Sequence, residues 1–463
     1  MRLWSISLRN LRIRAVATTL TALAIVVATA LYAAILLMAE QTKQRYEGSI
    51  GGFQAVVGPK DASQLEVVLN TIFHVGDTAG LIPLRVCDDL RNSRVGRRAQ
   101  VHYAIPQARG DSVSQYNFPV VATLDEMFTL FQRGGAPLPF AQGGPFAFSY
   151  QELQELAEQL AAYETAQRTG SEPAPPRPLL RAEWKKCVIG ARVQKKLGLQ
   201  LGDVVTPVHG KMGEFGYHEH PEAACEVVGI LAPTNSPIDA TIFLPLGTHL
   251  LIDGHEEGVF VLEIPAGKNP DDAKKLPARA DQIALTAIVA DPKDHFGAQF
   301  LRREFGTRPD AQVAWPQVEV PKFLRTMGSI SDALEVVAWL VLFGAALSIA
   351  AVIYNTMNER RREIAIMRSL GARRGQVFAI IVLEAGLLSL FGAALGIVAC
   401  HAAAFGFGEY VEDMTGVHLD WTQFAVWEIW LVFGVGAIGA LAGVLPAIKG
   451  STTQVADNLA QNY

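Results

Sequence analysis

The sequence predicts an α-helical membrane protein with four transmembrane helices and a large mixed α+β extracytoplasmic domain between the first and second spans. Half of the 463 residues are hydrophobic, only 18% are charged, and the mean hydropathy is +0.22. Soluble domains carry about 25% charged residues. The apolar residues form four long runs, whereas Gly and Pro punctuate residues 39–332 between the first two runs.

The first span is predicted at residues 15–38, which contain no charged side chain. At about 1.5 Å per residue this run is about 36 Å long, enough for a hydrocarbon core of about 30 Å. Four arginines in residues 1–14 would also suit a signal peptide, but the apolar part of a signal peptide has only about 7–15 residues. An uncleaved helix is therefore favoured, with residues 1–14 as a cytoplasmic amphipathic segment.

The other spans are predicted at residues 333–357, 377–404 and 427–448, all rich in Gly and Ala. Small residues allow helices to approach closely in a membrane, so these helices are expected to pack against partners. Six arginines lie in or beside the loop 358–376, whereas the loop 405–426 contains acidic residues and no Lys or Arg. Positive residues favour the cytoplasmic side. Both termini, the loop 358–376 and the tail 449–463 are therefore predicted to be cytoplasmic.

The domain at residues 39–332 shows alternating strand and helix signals. Short β-rich runs occur at 52–58, 224–231 and 240–245, and residues 150–167 carry leucines at helical spacing. Residues 187–205 predict a strand, a short helix, a turn and a second strand. The region at about 134–178 ends in a Pro-rich linker and is interpreted as an insertion on this domain.

Composition and motifs exclude several function classes. The net charge of −5 shows no excess of positive charge of the kind that binds nucleic acid. No Walker A, H-E-x-x-H, C-x-x-C or G-x-S-x-G sequence occurs, so an intrinsic ATPase or hydrolase is not expected. Four cysteines do not form a disulfide scaffold, and unpaired packing residues are the favoured interpretation over a single disulfide.

One group of residues in the outer domain has metal-binding chemistry: His209, His218, His220, Glu222 and Cys225. Imidazole, thiolate and carboxylate groups are zinc ligands, and an exposed histidine can serve as an axial ligand of heme. Zn and heme are thus the candidate cofactors of the chain itself. A solvated loop between two strands, with histidines present by composition, is the favoured alternative.

Two carboxylates lie in or near the predicted spans, Glu335 and Glu384. A carboxylate in lipid is costly and is expected to face a helix interface or a polar cavity. Glu335 lies near the outer end of its span, where it can reach water. For Glu384 an interhelical hydrogen bond is favoured over a direct transport role.

The run NERRREIAIMRSLGARRGQVFAIIVLEAGLLSLFGAALG (358–396) resembles the permease signature of the MacB, LolC and FtsX superfamily, the type VII ABC transporters. The resemblance extends to the amphipathic opening WSISLRNLRIRAVATTLTALAIVVA and to the ending LAGVLPAIKGSTTQVADNL, in which Pro446 occupies the family's proline position. The four-span order also matches. No ATPase domain is fused to the chain, unlike MacB itself.

This resemblance implies that the helix after the second span docks on a separate ATPase subunit. The residues matching the coupling stretch are Glu363, Ile364, Ala365, Met367, Arg368, Leu370, Gly371 and Ala372. Ile364, Met367 and Leu370 are expected to face the ATPase, and Gly371 is expected to end the helix.

The family's mechanism, mechanotransmission, flexes the outer domains through stalk helices, here expected at 40–51 and 321–331. The implied partners are a cytoplasmic ABC ATPase dimer that binds ATP and Mg, a second permease chain as homo- or heterodimer, the lipid bilayer, and a periplasmic or outer-membrane protein. The implied location is the bacterial inner membrane.

Three functions remain open from the sequence. The first is ATP-driven export or extraction of a lipoprotein, peptide, heme or metal-related molecule, or amphiphile. The second is FtsX-like signalling that regulates an extracytoplasmic hydrolase without transport. The third is a membrane-anchored sensor without an ATPase, which the coupling sequence disfavours.

Overall fold

The computed structural model describes residues 15–76, 78–113, 117–170, 173–209, 217–253, 258–262, 275–359, 361–415 and 419–451. The predicted amphipathic segment 1–14 and most of the predicted tail 449–463 lie outside these residues. The chain divides into two compact units, one formed by residues 1–44 and 325–463 and the other by residues 45–324.

The helices of the described residues, in chain order, are α1 Ala15–Ser49, α2 Gln64–Phe73, α3 Arg85–Arg91, α4 Glu126–Thr129, α5 Tyr150–Thr169, α6 Ala191–Leu197, α7 Leu246–Leu250, α8 His295–Thr307, α9 Pro316–Glu359, α10 Arg361–Ser369, α11 Arg374–Thr415, α12 Val426–Ala442 and α13 Val444–Ser451. Short 3-10 helices occur at Ala182–Trp184, Pro221–Ala223, Pro237–Ala240 and Ala280–Gln282.

The strands are β1 Ala55–Pro59, β2 Ile82–Pro83, β3 Arg94–Val95, β4 Arg98–Ala99, β5 Val101–Val113, β6 Phe118–Thr123, β7 Gln132–Arg133, β8 Ala136–Pro137, β9 Phe140–Gly143, β10 Lys186–Ile189, β11 Val204–Val205, β12 Val208–His209, β13 His218–Glu219, β14 Cys225–Leu231, β15 Ile242–Pro245, β16 Ala284–Leu285, β17 Ala287–Pro292 and β18 Ala311–Ala314.

A mixed sheet organises unit 45–324, with the order β11-β14-β10-β15-β6-β5-β17-β1-β18. The pairs β10–β14 and β15–β6 are parallel, whereas β5 pairs antiparallel with both β6 and β17. The three predicted strand runs coincide with β1, β14 and β15, and the predicted strand–helix–turn–strand unit is β10, α6 and β11. These predictions of local structure are confirmed.

The region predicted as an insertion, 134–178, is built into the same core as the rest of the unit. Its strand β9 pairs with β14, and Leu153 and Leu156 on α5 are fully buried within the main hydrophobic cluster. A Ser149–Glu152 capping box begins α5 and Gly170 ends it. The segment is therefore a structural part of the domain, and residues 173–176 of its Pro-rich stretch are exposed.

Glycines set the helix packing in the other unit. A side chain on Gly392 or Gly396 of α11 would collide with Ile25 or Thr29 of α1. A side chain on Gly439 of α12 would collide with Ser389 of α11. The predicted close approach of small-residue helices is thus present among the described helices.

In the described part of this unit, four helices are long and apolar enough to cross a membrane, at Thr19–Gln44, Asp332–Ala351, Arg374–Gly408 and Val426–Lys449. The third of these, α11, continues to Thr415, so part of the predicted loop 405–426 is helical. The apolar run Ala402–Gly408 contains no charge or proline that would end the helix. All four cysteines are buried and unpaired, as favoured from the sequence.

Candidate functional site

The short helix α10 is ended by its own sequence. Gly371 has a φ of +99°, a conformation that is unstrained only for glycine. The Gly371 amide donates to the Arg368 carbonyl at 3.1 Å, and the Ala372 amide donates to the Met367 carbonyl at 3.0 Å. These two hydrogen bonds form the Schellman arrangement that closes a helix C-terminus. The prediction that Gly371 ends the helix is confirmed.

One face of α10 packs inward. Ile364 and Ala365 are 2% and 1% exposed, and Ile364 contacts a small cluster that includes Val377, Ile381 and Ala447, with Met367 half-buried beside it. The burial of Ile364 does not fit the expectation that this side chain faces the ATPase, and for Met367 that expectation stays a prediction. Both side chains anchor α10 to α11 and α13.

The opposite side of α10 presents two apolar side chains to the outside. Ile366 is 44% exposed and Leu370 is 83% exposed, and the exposed Ser369 and Arg373 lie beside them. The sequence predicts the outward orientation of Leu370. It does not predict that of Ile366, because Ile364 has the helical spacing expected of the outward face. We call Ile366, Ser369, Leu370 and Arg373 the α10 surface. Arg368 and Ala372 are half-buried, and the side chain of Glu363 lies outside the described part of the structure.

The last described helix, α13, packs against α10. The helix α12 ends at Ala442, and Pro446 lies in the first turn of α13, where a missing N–H group costs little. Ala447 is fully buried in the α10 cluster. The ammonium group of Lys449 lies 3.7 Å from the centre of the Tyr354 ring, which joins α13 to α9.

The predicted intramembrane carboxylates occupy different settings. Glu335 on α9 accepts a hydrogen bond from the Tyr32 hydroxyl of α1 at 3.1 Å and one from the Trp339 indole at 3.4 Å. Glu335 thus takes part in an interhelical hydrogen bond, and the interhelical hydrogen bond favoured from the sequence for Glu384 stays a prediction. Glu384 is half-buried on α11.

A second buried polar pair was missed by sequence reasoning. His401 on α11 and Glu428 on α12 are 6% and 4% exposed, and their side chains lie 3.0 Å apart. The sequence does contain a signal for this pair, because each of two predicted apolar helices carries an ionisable residue. Glu428 lies in the first turn of its helix, where an acidic residue is expected as a cap.

The predicted metal ligands come together only in part. His209 and His218 are opposite each other in β12 and β13, and the His220 ring centre lies 6.3 and 5.0 Å from theirs. His220 contacts Glu222 at 3.2 Å. The Cys225 thiol is buried and donates to the Ala223 carbonyl at 3.1 Å.

Burial raises the pKa of the Cys225 thiol to about 12. Within the described ranges no three His, Cys, Asp or Glu side chains are grouped as metal ligands. In this part of the chain the five residues are thus not gathered as one ligand set, and Zn or heme binding by them stays a prediction.

Residues 335–455 match the family model of the FtsX-like permease C-terminal domain. The matching region begins within α9 and includes α10, α11, α12 and α13. The resemblance to ABC permeases that the sequence indicated is confirmed for this region.

Curated relatives align with about a third of the chain or less. An uncharacterized ABC transporter permease of Methanocaldococcus jannaschii is 33% identical over 27% of this chain and 33% of its own length. A second uncharacterized ABC transporter permease, from Bacillus subtilis, is 26% identical over 33% of this chain and 37% of its own. The macrolide export ATP-binding/permease protein MacB of Chromobacterium violaceum is 30% identical over 30% of this chain and 22% of its own. The alignments thus cover well under two thirds of these relatives.

Proposed function

We propose that this chain is the permease subunit of an ABC transporter that couples ATP hydrolysis by a separate ATPase subunit to movement of its outer domain. The α10 surface carries this proposal, because it exposes apolar side chains on an anchored helix within the region that matches the FtsX-like family. The ATPase supplies ATP and Mg binding. The permease works as a dimer, since an ABC ATPase pair presents two equivalent docking grooves.

The anchoring of α10 supports a mechanical role. An exposed Leu370 gives a partner groove an apolar anchor, and the adjacent Arg373 gives a polar rim. On the other face, Ile364 is fixed against α11 and α13. A force applied to α10 would therefore be transmitted to α11 and α13 and would not be absorbed by a flexible loop.

Both helices expected as stalks extend beyond their apolar windows. The helix α1 runs to Ser49 beyond the apolar window that ends at Gln44, and α9 begins at Pro316 ahead of the window that begins at Asp332. The Tyr46 ring lies 5.6 Å from that of Phe323 and 4.6 Å from that of Phe73. These three residues all lie in unit 45–324, where the proposed stalk segments contact each other at Tyr46 and Phe323.

The arginine-rich loop gives the proposed orientation. With α10 cytoplasmic, both termini are cytoplasmic and the unit 45–324 is extracytoplasmic, in the inner membrane of a bacterium. The proposed role is export or extraction of a substrate by motion of this outer unit.

A binding experiment with a matched control tests the proposal. The chain in detergent is immobilised and an ABC ATPase subunit from the same genome is passed over the surface, comparing wild type, Leu370→Glu and Leu179→Glu. Leu179 lies in the other unit and is also 83% exposed, so both variants add the same charge at equal exposure. We expect Leu370→Glu to weaken binding by about 2 kcal/mol or more, or about thirtyfold, as loss of a central apolar anchor does. Equal binding by both variants would refute docking at α10.

A further inference from the structure

One edge of the sheet in unit 45–324 is the edge at which the chain enters and leaves this unit. Ala290 of β17 pairs with Ala55 of β1 and with Ala104 of β5, and Val56 pairs with Ala314 at the end of β18. The starts of β1 and β5 and the ends of β17 and β18 therefore lie at one edge. Because α1 precedes β1 and α9 follows β18, both helices join the unit there.

A β-hairpin extends from this edge. Its strands β3 and β4 pair antiparallel and are joined by a turn of two residues, Gly96 and Arg97. Gly96 has a φ of +64°, as the first position of such a tight turn requires. Only Gln100 separates β4 from β5, and Arg98 pairs with Asp294, two residues past the end of β17. The hairpin therefore continues beyond the strand ends.

The hairpin and the start of α8 expose cationic and large apolar side chains side by side. Val95 is 59% exposed and Phe296 is 67% exposed, and Arg94, Arg97 and Lys293 are exposed as well. Cations beside exposed apolar side chains are typical of surfaces that lie on a membrane. We give the name basic edge to Arg94, Val95, Arg97, Arg98, Lys293 and Phe296.

Neighbouring carboxylates neutralise the basic edge only in part. Asp294 pairs with Arg98, whereas Arg94 and Arg97 form no ion pair within the described ranges. The other carboxylate near the end of β17, Asp291, is half-buried. The basic edge therefore keeps an excess of positive charge, which favours an anionic partner.

Two further carboxylates, Asp89 and Glu304, line a groove together with Arg94. Asp89 is paired with Arg308 in this groove. Glu304 is exposed on α8, where residues 302–303 are both exposed arginines. The excess of cations over carboxylates thus extends from the hairpin onto α8.

We propose that the basic edge binds anionic phospholipid headgroups of the membrane in which the chain is embedded. The proposal rests on the transmembrane placement of α1 and α9 in the proposed function. Both helices contain an apolar window, at Thr19–Gln44 and at Asp332–Ala351, and both join the unit at the edge that carries the cations. A lipid surface is therefore the nearest anionic partner for this edge.

The two kinds of side chain have different parts in this binding. Arg94 and Arg97 pair with lipid phosphate groups, and Val95 and Phe296 enter the boundary between headgroups and acyl chains. Each Lys or Arg near an anionic membrane strengthens binding about fivefold, and the attraction is screened beyond about 8 Å at physiological salt. Contact is therefore expected to depend on anionic lipid and not on lipid in general.

The test measures contact between the hairpin and lipid headgroups in the full chain, reconstituted in nanodiscs. A fluorescent bimane label is attached at Val95→Cys, which reacts because the four native cysteines are buried. Each nanodisc contains some lipid with a nitroxide on its headgroup, which quenches bimane on contact. One set of nanodiscs is phosphatidylcholine alone, and the other is an equal mixture with phosphatidylglycerol.

Two double variants of the labelled chain separate a local effect from a general effect of charge. Arg94→Gln with Arg97→Gln removes two cations of the hairpin. The matched control, Lys195→Gln with Lys275→Gln, removes two positive charges at exposed positions in other parts of the same unit.

In the phosphatidylglycerol nanodiscs, we expect the hairpin variant to lower the ratio of quenched to unquenched label about 25-fold, or about fivefold for each cation. The control should match the labelled chain without these substitutions, which should be quenched far less in phosphatidylcholine alone. Equal quenching of that chain in the two lipids, no quenching in either, or an equal loss in the control would overturn the proposal.

The outcome is independent of the ATPase, which is absent, and of which side of the membrane is cytoplasmic, since both faces of the nanodisc carry the same lipid. Docking at α10 can thus fail while lipid binding holds, and the reverse. If the hairpin variant does not fold, the comparison of the two lipids decides alone.

Discussion

Ile364 and Leu370 show how two similar residues on one short helix acquire opposite roles. Both belong to the stretch that the sequence matched to the ATPase-coupling motif. Ile364 is 2% exposed in the small core of α10, α11 and α13, whereas Leu370 is 83% exposed. The first residue therefore contributes to stability and the second to docking.

Alanine at each position separates these roles. Ile364→Ala is expected to lower the free energy of unfolding by about 2–4 kcal/mol because it leaves a cavity. Leu370→Ala is expected to change it by less than about 0.5 kcal/mol because the side chain is exposed. Thermal unfolding of the two variants in detergent, followed by tryptophan fluorescence, measures the difference. Equal destabilisation would contradict the inward orientation of Ile364.

His74 gives the unit 45–324 a pH-dependent stability. It follows α2 in the left-handed conformation, and its Nε2 lies 3.0 Å from the Thr241 hydroxyl. Thr241 Oγ1 donates to the Pro237 carbonyl, so the imidazole is the donor in this contact. Burial, together with the nearby Arg109 guanidinium, lowers the pKa of His74 to about 3.

Acid is expected to destabilise this unit through His74. Below its ordinary pKa of about 6.5 the histidine binds a proton in the unfolded chain but not in the folded chain, so acid favours unfolding. We expect the unit to lose about 1–2 kcal/mol between pH 7 and pH 5. In the control His74→Asn, which keeps a residue tolerant of the left-handed conformation, this share of the pH dependence should be absent. Urea unfolding at both pH values measures it, and an identical slope in the two proteins would contradict the assignment.

At the scale of elements, α11 and α12 are held together by small residues. A Cβ atom on Gly439 would lie 1.8 Å from the Ser389 hydroxyl, whereas one on Gly434 of the same helix would have no atom within 4 Å. Gly439→Ala is therefore expected to separate the two helices and destabilise the bundle by about 1–3 kcal/mol. Gly434→Ala should be neutral or slightly stabilising. Unfolding midpoints in detergent compare them, and a neutral Gly439→Ala would show that the helices do not pack at this point.

The elements themselves were largely predictable from the sequence because their signals are local. The apolar runs predicted the four apolar helices, leucines at helical spacing predicted α5, and Gly371 predicted the end of α10. The inward orientation of Ile364 was not predictable, because it depends on Val377 and Ala447 from other elements. The same is true of His401, whose partners Trp421 and Glu428 are 20 and 27 residues away.

At the scale of the whole molecule, the sheet order was beyond the reach of sequence patterns. The strand β15 pairs in parallel with β6, although more than 100 residues separate them, and β10 lies between β14 and β15. Alternating hydrophobicity indicates that a strand exists but not which strand it joins. For this reason the segment 134–178 read as an insertion, while β9 and α5 are parts of the common core.

The central claim for the whole molecule is that the α10 surface touches an ATPase subunit. A photo-activated cross-linker attached at Leu370→Cys tests it most directly, since the native thiols are buried and do not react. Irradiation with the ATPase subunit present should give a permease–ATPase product at Leu370→Cys and none at the equally exposed Leu179→Cys. The absence of a product at Leu370→Cys, or its formation only at Leu179→Cys, would contradict the proposed coupling.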